Sequence, residues 1–203
     1  MSKKYFITGI DTDSGKTVAS AALVQALQSD YWKPVQAGTP TDSDTIRELV
    51  KSATVHPEGL FLKHPMSPHA SAELEKRTVG LEDLRLPQTE NSLIIEGAGG
   101  IKVPLNATEF VIDIAQQFDL EVILVSRNYL GSINHTLLSI DYLKFNGYKI
   151  KGIVFNGEPN HSTENFILNY SELPCLFRIP QFDHIDSSEI RQIASTINPN
   201  DYV

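Results

Sequence analysis

Residues 5–17 constrain this chain more than any other stretch. The apolar run Tyr5-Phe6-Ile7-Thr8 ends at Gly9, a polar loop follows, and Gly15-Lys16-Thr17 opens an Ala-rich segment. Strand, glycine-bounded loop and helix in that order form a cradle for a nucleoside triphosphate. The loop and the helix start point backbone N–H groups at the phosphates, where the helix dipole favours negative charge. A lysine at this point reaches the β- and γ-phosphates, and the adjoining hydroxyl ligates Mg²⁺. The spacing departs from the common G-x-x-x-x-G-K-[ST] loop, because five residues separate Gly9 from Gly15. A Gly-Lys-Thr tripeptide at an ordinary helix start is the plain alternative, and the strand before it and the helix after it count against that.

The 203 residues suit a single domain over residues 1–203. A net charge of −8 speaks against a nucleic-acid binder, which normally carries a basic face, but leaves room for ATP, which needs only local donors. Cys175 is the only cysteine, so an intrachain disulfide and a cysteine-based metal site are excluded. Its setting in Leu-Pro-Cys-Leu-Phe reads as a buried core thiol. The N-terminal apolar run is too short for a signal peptide, and no stretch approaches a membrane span. The expected compartment is the cytoplasm.

Strand-like and helix-like segments alternate along the chain. Strands are expected at Tyr5–Thr8, Tyr31–Val35, Ser92–Ile95, Val122–Val125, Ile150–Phe155 and Leu176–Ile179. Helices are expected at Lys16–Gln28, Asp42–Lys51, Phe110–Phe118, Ile133–Phe145, Asn165–Tyr170 and Ser187–Ile197, with at best a short one at Leu81–Leu86. Residues 52–70 read as irregular, with Ser67-Pro68 resembling a helix start. Asp186 followed by Glu189 suggests a capping box. The alternation implies an α/β fold with a mainly parallel sheet flanked by helices. Ligands of such sheets lie beyond the carboxyl ends of the strands. Gly9, Lys33, Glu96 and Asn156 all follow predicted strands, so one crevice could hold all four.

Lys33 lies in an apolar strand region, where a lysine is costly to bury without an anion. A sheet-edge lysine is the plain alternative; beside a triphosphate, Lys33 is a candidate for stabilising charge on a substrate or phosphoryl group. In Asp42-Ser43-Asp44, acidic residues at a helix start suit the dipole, and one carboxylate could also ligate Mg²⁺. Glu96 follows Leu93-Ile94-Ile95 directly and precedes glycines that allow close backbone approach, which favours a Mg²⁺ or nucleotide role. Gly131-Ser132-Ile133-Asn134 offers helix N–H groups to a carboxylate, or simple capping. Asn156 serves equally well as a turn residue or as an amide facing a purine. His135 reads as structural.

Gly9-x5-Gly15-Lys16-Thr17, Lys33-Pro34-Val35-Gln36-Ala37-Gly38, Ser67-Pro68-His69, Glu96-Gly97-Ala98-Gly99-Gly100, Gly131-x-Ile133-Asn134-His135 and Asn156 occur in the order that characterises dethiobiotin synthetases. The chain resembles that family over residues 1 to about 182, including the lengthened phosphate loop. The resemblance implies a P-loop NTPase-like fold and a homodimer with its active site at the interface. It implies formation of the ureido ring of dethiobiotin, in biotin biosynthesis, from 7,8-diaminononanoate, CO₂ or bicarbonate and ATP, with Mg²⁺. The implied course runs through a carbamate and a carbamic-phosphoric mixed anhydride.

Carried over by motif, Lys16 and Lys33 are the catalytic cations, and Thr17, Asp44 and Glu96 bind Mg²⁺. The nucleotide falls to Asp13, Ser14, Gly15, Lys16, Thr17 and Val18, to Asp44, Glu96, Gly97, Ala98 and Gly99, and to Asn156, Pro180, Gln181 and Phe182 around adenine. The substrate falls to Thr12, Lys33 and Ala37, with Gly131, Ser132, Ile133 and Asn134 of the partner subunit receiving its carboxylate. Three departures stand out: Asp13 where many members have Glu, Ala37 where some have a hydroxyl, and a shorter stretch between Gln28 and Ser67. That last departure leaves Asp42 and Asp44 in competition, with Ser43-Asp44 the better match. The alternative function is a switch ATPase of the partition or site-selection type, though an early loop lysine of that type is missing from Ile10-Asp11-Thr12.

Overall fold

A computed structural model describes residues 2–202. Six strands form one wholly parallel sheet: β1 (Lys4–Gly9), β2 (Asp30–Trp32), β5 (Leu93–Gly100), β6 (Glu121–Arg127), β7 (Ile150–Asn156) and β8 (Cys175–Ile179). Their order is β2-β5-β1-β6-β7-β8. The central strands are buried on both faces, as a parallel sheet under helices requires, which is why Phe6-Ile7, Leu93–Ile95 and Val122–Val125 read as unbroken apolar runs. Two more strands, β3 (Val35–Ala37) and β4 (Leu60–Leu62), pair in parallel as a separate small sheet.

Among the described residues six α-helices lie between strands, α1 (Lys16–Leu27), α2 (Asp42–Leu49), α3 (Pro68–Leu74), α4 (Asp113–Gln117), α5 (Ser132–Phe145) and α6 (His161–Ser171), and α7 (Ser187–Ala194) follows the last strand. On one face α1 is buried through Ala19, Ala22 and Leu23 against Tyr5, Ile7, Ile94 and Ile123, with Ile190 and Ile193 of α7 beside it. On the other face Ile95, Trp32 and Phe6 meet Ile112 and Ile114. Further along, Ile140 of α5 and Ile167 of α6 cover Leu124, Ile153 and Phe155. The sheet closes around β1, whose neighbours β5 and β6 follow it much later in the chain. The carboxyl end of β1 is therefore the switch point at which a crevice opens.

The expected α/β architecture is observed, with four local differences. The strand expected over Tyr31–Val35 is two strands in two sheets. Pro34 lacks an N–H and fixes its φ, so the ladder stops at Trp32 and resumes at Val35 beside β4. The irregular stretch 52–70 contains β4, held where Leu60 N–H donates to Pro34 O at 2.8 Å. The helix expected from Phe110 begins only at Asp113, because Phe110 bridges to Pro104. The helix expected at Asn165 starts at His161, capped by Asn160, whose side chain accepts from Thr163 N–H at 3.0 Å. The Asp186–Glu189 capping box is formed. Cys175 is half-buried rather than fully enclosed.

Candidate functional site

Ile10–Gly15 link β1 to α1 as a loop over the sheet's carboxyl edge. Gly15 caps α1 with φ 96°, a left-handed conformation that side chains resist. A Cβ there would also lie 2.3 Å from Asn156 Nδ2, which donates to Ser14 O at 2.8 Å. Two facts thus fix this glycine: its dihedral angle and the amide packed against it.

Lys16 turns its ammonium back over the loop, donating to Asp11 O at 3.0 Å and Thr12 O at 2.9 Å. Burial pushes its pKa down to about 8, partly opposed by Glu96, with Lys33 adding to the depression. Desolvated cations of this kind gain most from a polyanion.

Behind Lys16 lies a buried charge cluster. Glu96, at the end of the apolar part of β5, is fully enclosed. Its Oε1 accepts from Thr17 Oγ1 at 2.9 Å and Lys33 Nζ at 3.2 Å, and its Oε2 accepts from Tyr31 OH at 3.0 Å. Lys33 Nζ also donates to Gly97 O at 2.9 Å and pairs with Asp42 Oδ2. Thr17 Oγ1 reaches Asp42 Oδ1 at 3.3 Å. Burial alone would lower the Lys33 pKa, but Glu96 and Asp42 outweigh it and hold the ammonium charged. Burial, and then the Glu96 charge, push the Tyr31 hydroxyl well above its ordinary range, so it stays a donor.

These groups open into a cavity of about 750 Å³, a size suited to a nucleotide with a small second ligand. Its lining includes the charged Lys16, Lys33, Asp42 and Glu96 and the apolar Pro40, Pro65, Met66 and Val103. Such a cavity matches a ligand with a charged head and an aliphatic part. The donor set fits Mg²⁺: two carboxylates and a hydroxyl are hard oxygen ligands. Among the described residues no cluster of three or more His, Cys, Asp or Glu could hold a metal ion, so phosphate oxygens are the natural remaining ligands.

Thr12, Asp13, Gly15, Thr17, Val18, Ala37, Ala98 and Gly99 line this cavity, while Ser14, Gly97 and Asn156 lie outside its lining. So does Asp44. It is exposed, its N–H is capped by Thr41 Oγ1 at 3.0 Å, and its carboxylate faces Arg47 at 2.9 Å. Asp42 occupies the inward position instead. The choice was legible: Thr41 is the helix cap, which puts Asp44 three residues on, in the capping position. Gly131–Asn134 lie at the start of α5 outside the cavity, with Gly131 at φ 105° and open space around it. Pro180 and Gln181 are exposed past β8, and Phe182 leans on the core beside α1. Sequence reasoning missed Tyr31 and Gln36. Tyr31 stands two residues before Lys33, on the same side of an alternating strand, which is a usable signal.

The sequence model of a family described as an AAA domain matches residues 3–189. The ATP-dependent dethiobiotin synthetase BioD of Cytophaga hutchinsonii is 51% identical over 204 residues, spanning 98% of this chain and 99% of that protein. The chain belongs to the dethiobiotin synthetase family. The ATP-dependent dethiobiotin synthetase BioD of Christiangramia forsetii is 46% identical over 198 residues, across 96% of this chain and 95% of its own. Among solved structures, a ParA family ATPase from Chlorobium tepidum aligns with a TM-score of 0.56 at 13% identity, covering 96% of this chain and 98% of that one. The MinD cell division protein of Aquifex aeolicus aligns at 0.52 with 12% identity, over 96% of each chain. At these identities the likeness establishes the fold alone, and the fold is that of P-loop NTPases. Among the described residues, no helix is long and apolar enough to cross a membrane.

Proposed function

We propose that this chain closes the ureido ring of dethiobiotin from 7,8-diaminononanoate, CO₂ and ATP, a C–N ligation of biotin biosynthesis in the cytoplasm. The observation that carries this reading is the joining of Lys16, Lys33, Glu96 and Asp42 in the lining of one cavity that also has apolar residues. One substrate amine attacks CO₂ and loses a proton, giving a carbamate. A carbamate oxygen then attacks the γ-phosphorus, and ADP leaves. The second amine attacks the carbamoyl carbon of the mixed anhydride, and phosphate leaves as the ring closes.

Each step gathers anions that repel one another, so fixed cations and positioning do most of the work. Lys33 Nζ, held by Glu96 and Asp42, meets the carbamate and the anhydride. Lys16 exchanges its loop carbonyls for phosphate oxygens. The N–H groups of Asp13–Val18 cradle the phosphates, and Gly97–Gly99 give the nucleotide close backbone approach. Thr17, Glu96 and Asp42 would hold Mg²⁺, which when bound supplies screening of the phosphate charge. Thr12 and Ala37 flank the diamine, and Pro40, Pro65, Met66 and Val103 accommodate its aliphatic chain.

Two copies complete the site in this reading. Leu130, Leu138, Phe145, Phe166 and Tyr170 leave an apolar surface exposed on and around α5 and α6, which supports pairing. The partner subunit's Gly131, Ser132, Ile133 and Asn134 would then receive the substrate carboxylate at a helix start. Asn156, Pro180, Gln181 and Phe182 would frame adenine.

Phosphate release from Mg-ATP is the test, with diamine and bicarbonate each supplied or withheld. Release that needs both, with dethiobiotin seen by mass spectrometry, is expected. Release indifferent to the diamine would overturn the reading in favour of a switch ATPase.

A further inference from the structure

Gln36 lies on β3, 5% exposed, and backbone groups engage both ends of its amide. Its Oε1 accepts from Asp42 N–H at 3.1 Å, and its Nε2 donates to Gly38 O at 3.1 Å. The first of these bonds satisfies a leading N–H of α2, a donor that a helix cannot satisfy internally. Thr41 covers only the N–H of Asp44. Gln36 therefore fixes the start of α2 from outside the helix.

That start matters because Asp42 is the first residue of α2, and its carboxylate meets both Thr17 and Lys33. The Asp42 side chain is 34% exposed, so burial alone does not hold it in place. The amide supplies an acceptor to Asp42 and a donor to Gly38 from one planar group. A hydrocarbon of the same shape leaves both backbone groups without these partners, whereas a carboxylate keeps the acceptor.

We propose that Gln36 is a positioning residue, delivering the Asp42 carboxylate to the metal-binding edge of the site. The inference rests on the reading of Asp42 as a Mg²⁺ ligand. Mn²⁺ binding to the enzyme–ADP complex, followed by electron paramagnetic resonance, tests both in wild type, Gln36→Met, Gln36→Glu and Asp42→Asn. Gln36→Met is expected to weaken Mn²⁺ by about 10- to 100-fold, the usual effect of losing a partner of a metal ligand. Metal-free ADP affinity should stay within about twofold, and excess Mg²⁺ should restore kcat in Gln36→Met but not in Asp42→Asn. Gln36→Glu, which keeps the acceptor, should hold Mn²⁺ within about threefold of wild type.

If Asp42→Asn loses Mn²⁺ while Gln36→Met binds it normally, the positioning role is overturned and the Asp42 reading stands. If Asp42→Asn binds Mn²⁺ unchanged, the Asp42 reading itself fails and takes the inference with it. Should Gln36→Met not fold, Gln36→Glu decides, and a loss beyond about threefold overturns the proposal.

Discussion

Lys33 Nζ lies 3.2 Å from Glu96 Oε1, and both side chains are closed off from solvent. Glu96, with Asp42, offsets the burial of the lysine, and Lys33 is the cation paired with the buried Glu96, a charge costly to keep there without one. Removing the lysine should therefore affect folding as well as chemistry. Lys33→Met is expected to lower kcat for ring closure by at least about a hundredfold. In EDTA it should also reduce unfolding free energy by about 3–5 kcal/mol, measured by urea titration, because Glu96 loses its cation.

The Lys16 ammonium contacts only loop carbonyls, so the fold depends on it less. Lys16→Ala should leave the urea midpoint near that of wild type. ATP binding, measured by calorimetry, should weaken far more than binding of the diamine alone.

Asp42 and Asp44 stand two positions apart but should behave differently. Asp44→Asn is expected to leave the Mg²⁺ concentration for half-maximal activity unchanged, since its carboxylate faces Arg47 in solvent. Asp42→Asn should raise that concentration by about tenfold or more and leave kcat depressed even at saturating Mg²⁺. Equal effects would return Asp44 to the site.

Glu164, buried in α6, predicts a pH signature. Burial would raise its pKa, but Arg178 Nε and Asn128 Nδ2, each at 2.8 Å, overcome this and hold it below the ordinary 4.5. The folded state thus binds that proton less readily than the unfolded state. The stabilisation is fully present above pH 4.5 and is lost as pH falls through the depressed value. Glu164→Gln should cost about 1–3 kcal/mol at neutral pH and flatten the acid limb of stability below about pH 4.

Gly15→Ala should lower both stability and ATP affinity, since the left-handed backbone costs roughly 1–2 kcal/mol with any Cβ. Adding Asn156→Ala removes the amide 2.3 Å from that Cβ yet leaves the dihedral strain. The double variant should recover only part of the melting temperature, read by circular dichroism.

Much of this was legible in the chain because local chemistry and long-range order agreed. Gly15-Lys16-Thr17 announced a loop and a helix, and the apolar runs around Ile94 and Ile123 announced central strands. What stayed hidden depended on contacts distant in sequence. Strand alternation puts Tyr31 on the side of Lys33, but it does not name the partner that its hydroxyl meets, Glu96, 65 residues away. The break at Pro34 was written in the sequence, but a second sheet needs β4, whose three residues carry too short a pattern to detect. The motif favours Asp44, whereas Thr41 as the helix cap, a signal that the sequence does carry, puts Asp44 in the capping position.

That break at Pro34 places two opposite charges on separate frames. Lys33 extends from the edge strand of the large sheet, while Asp42 is tethered through Gln36 to the small one. The distance between them is a gauge of how the two sheets are docked. Changes that tilt the small sheet, including those in the connection before β4, whose Gly59 N–H donates to Lys33 O at 3.1 Å, would reach the site as a mismatch of charge rather than a loss of shape. A change in the length of that connection would show first in metal dependence.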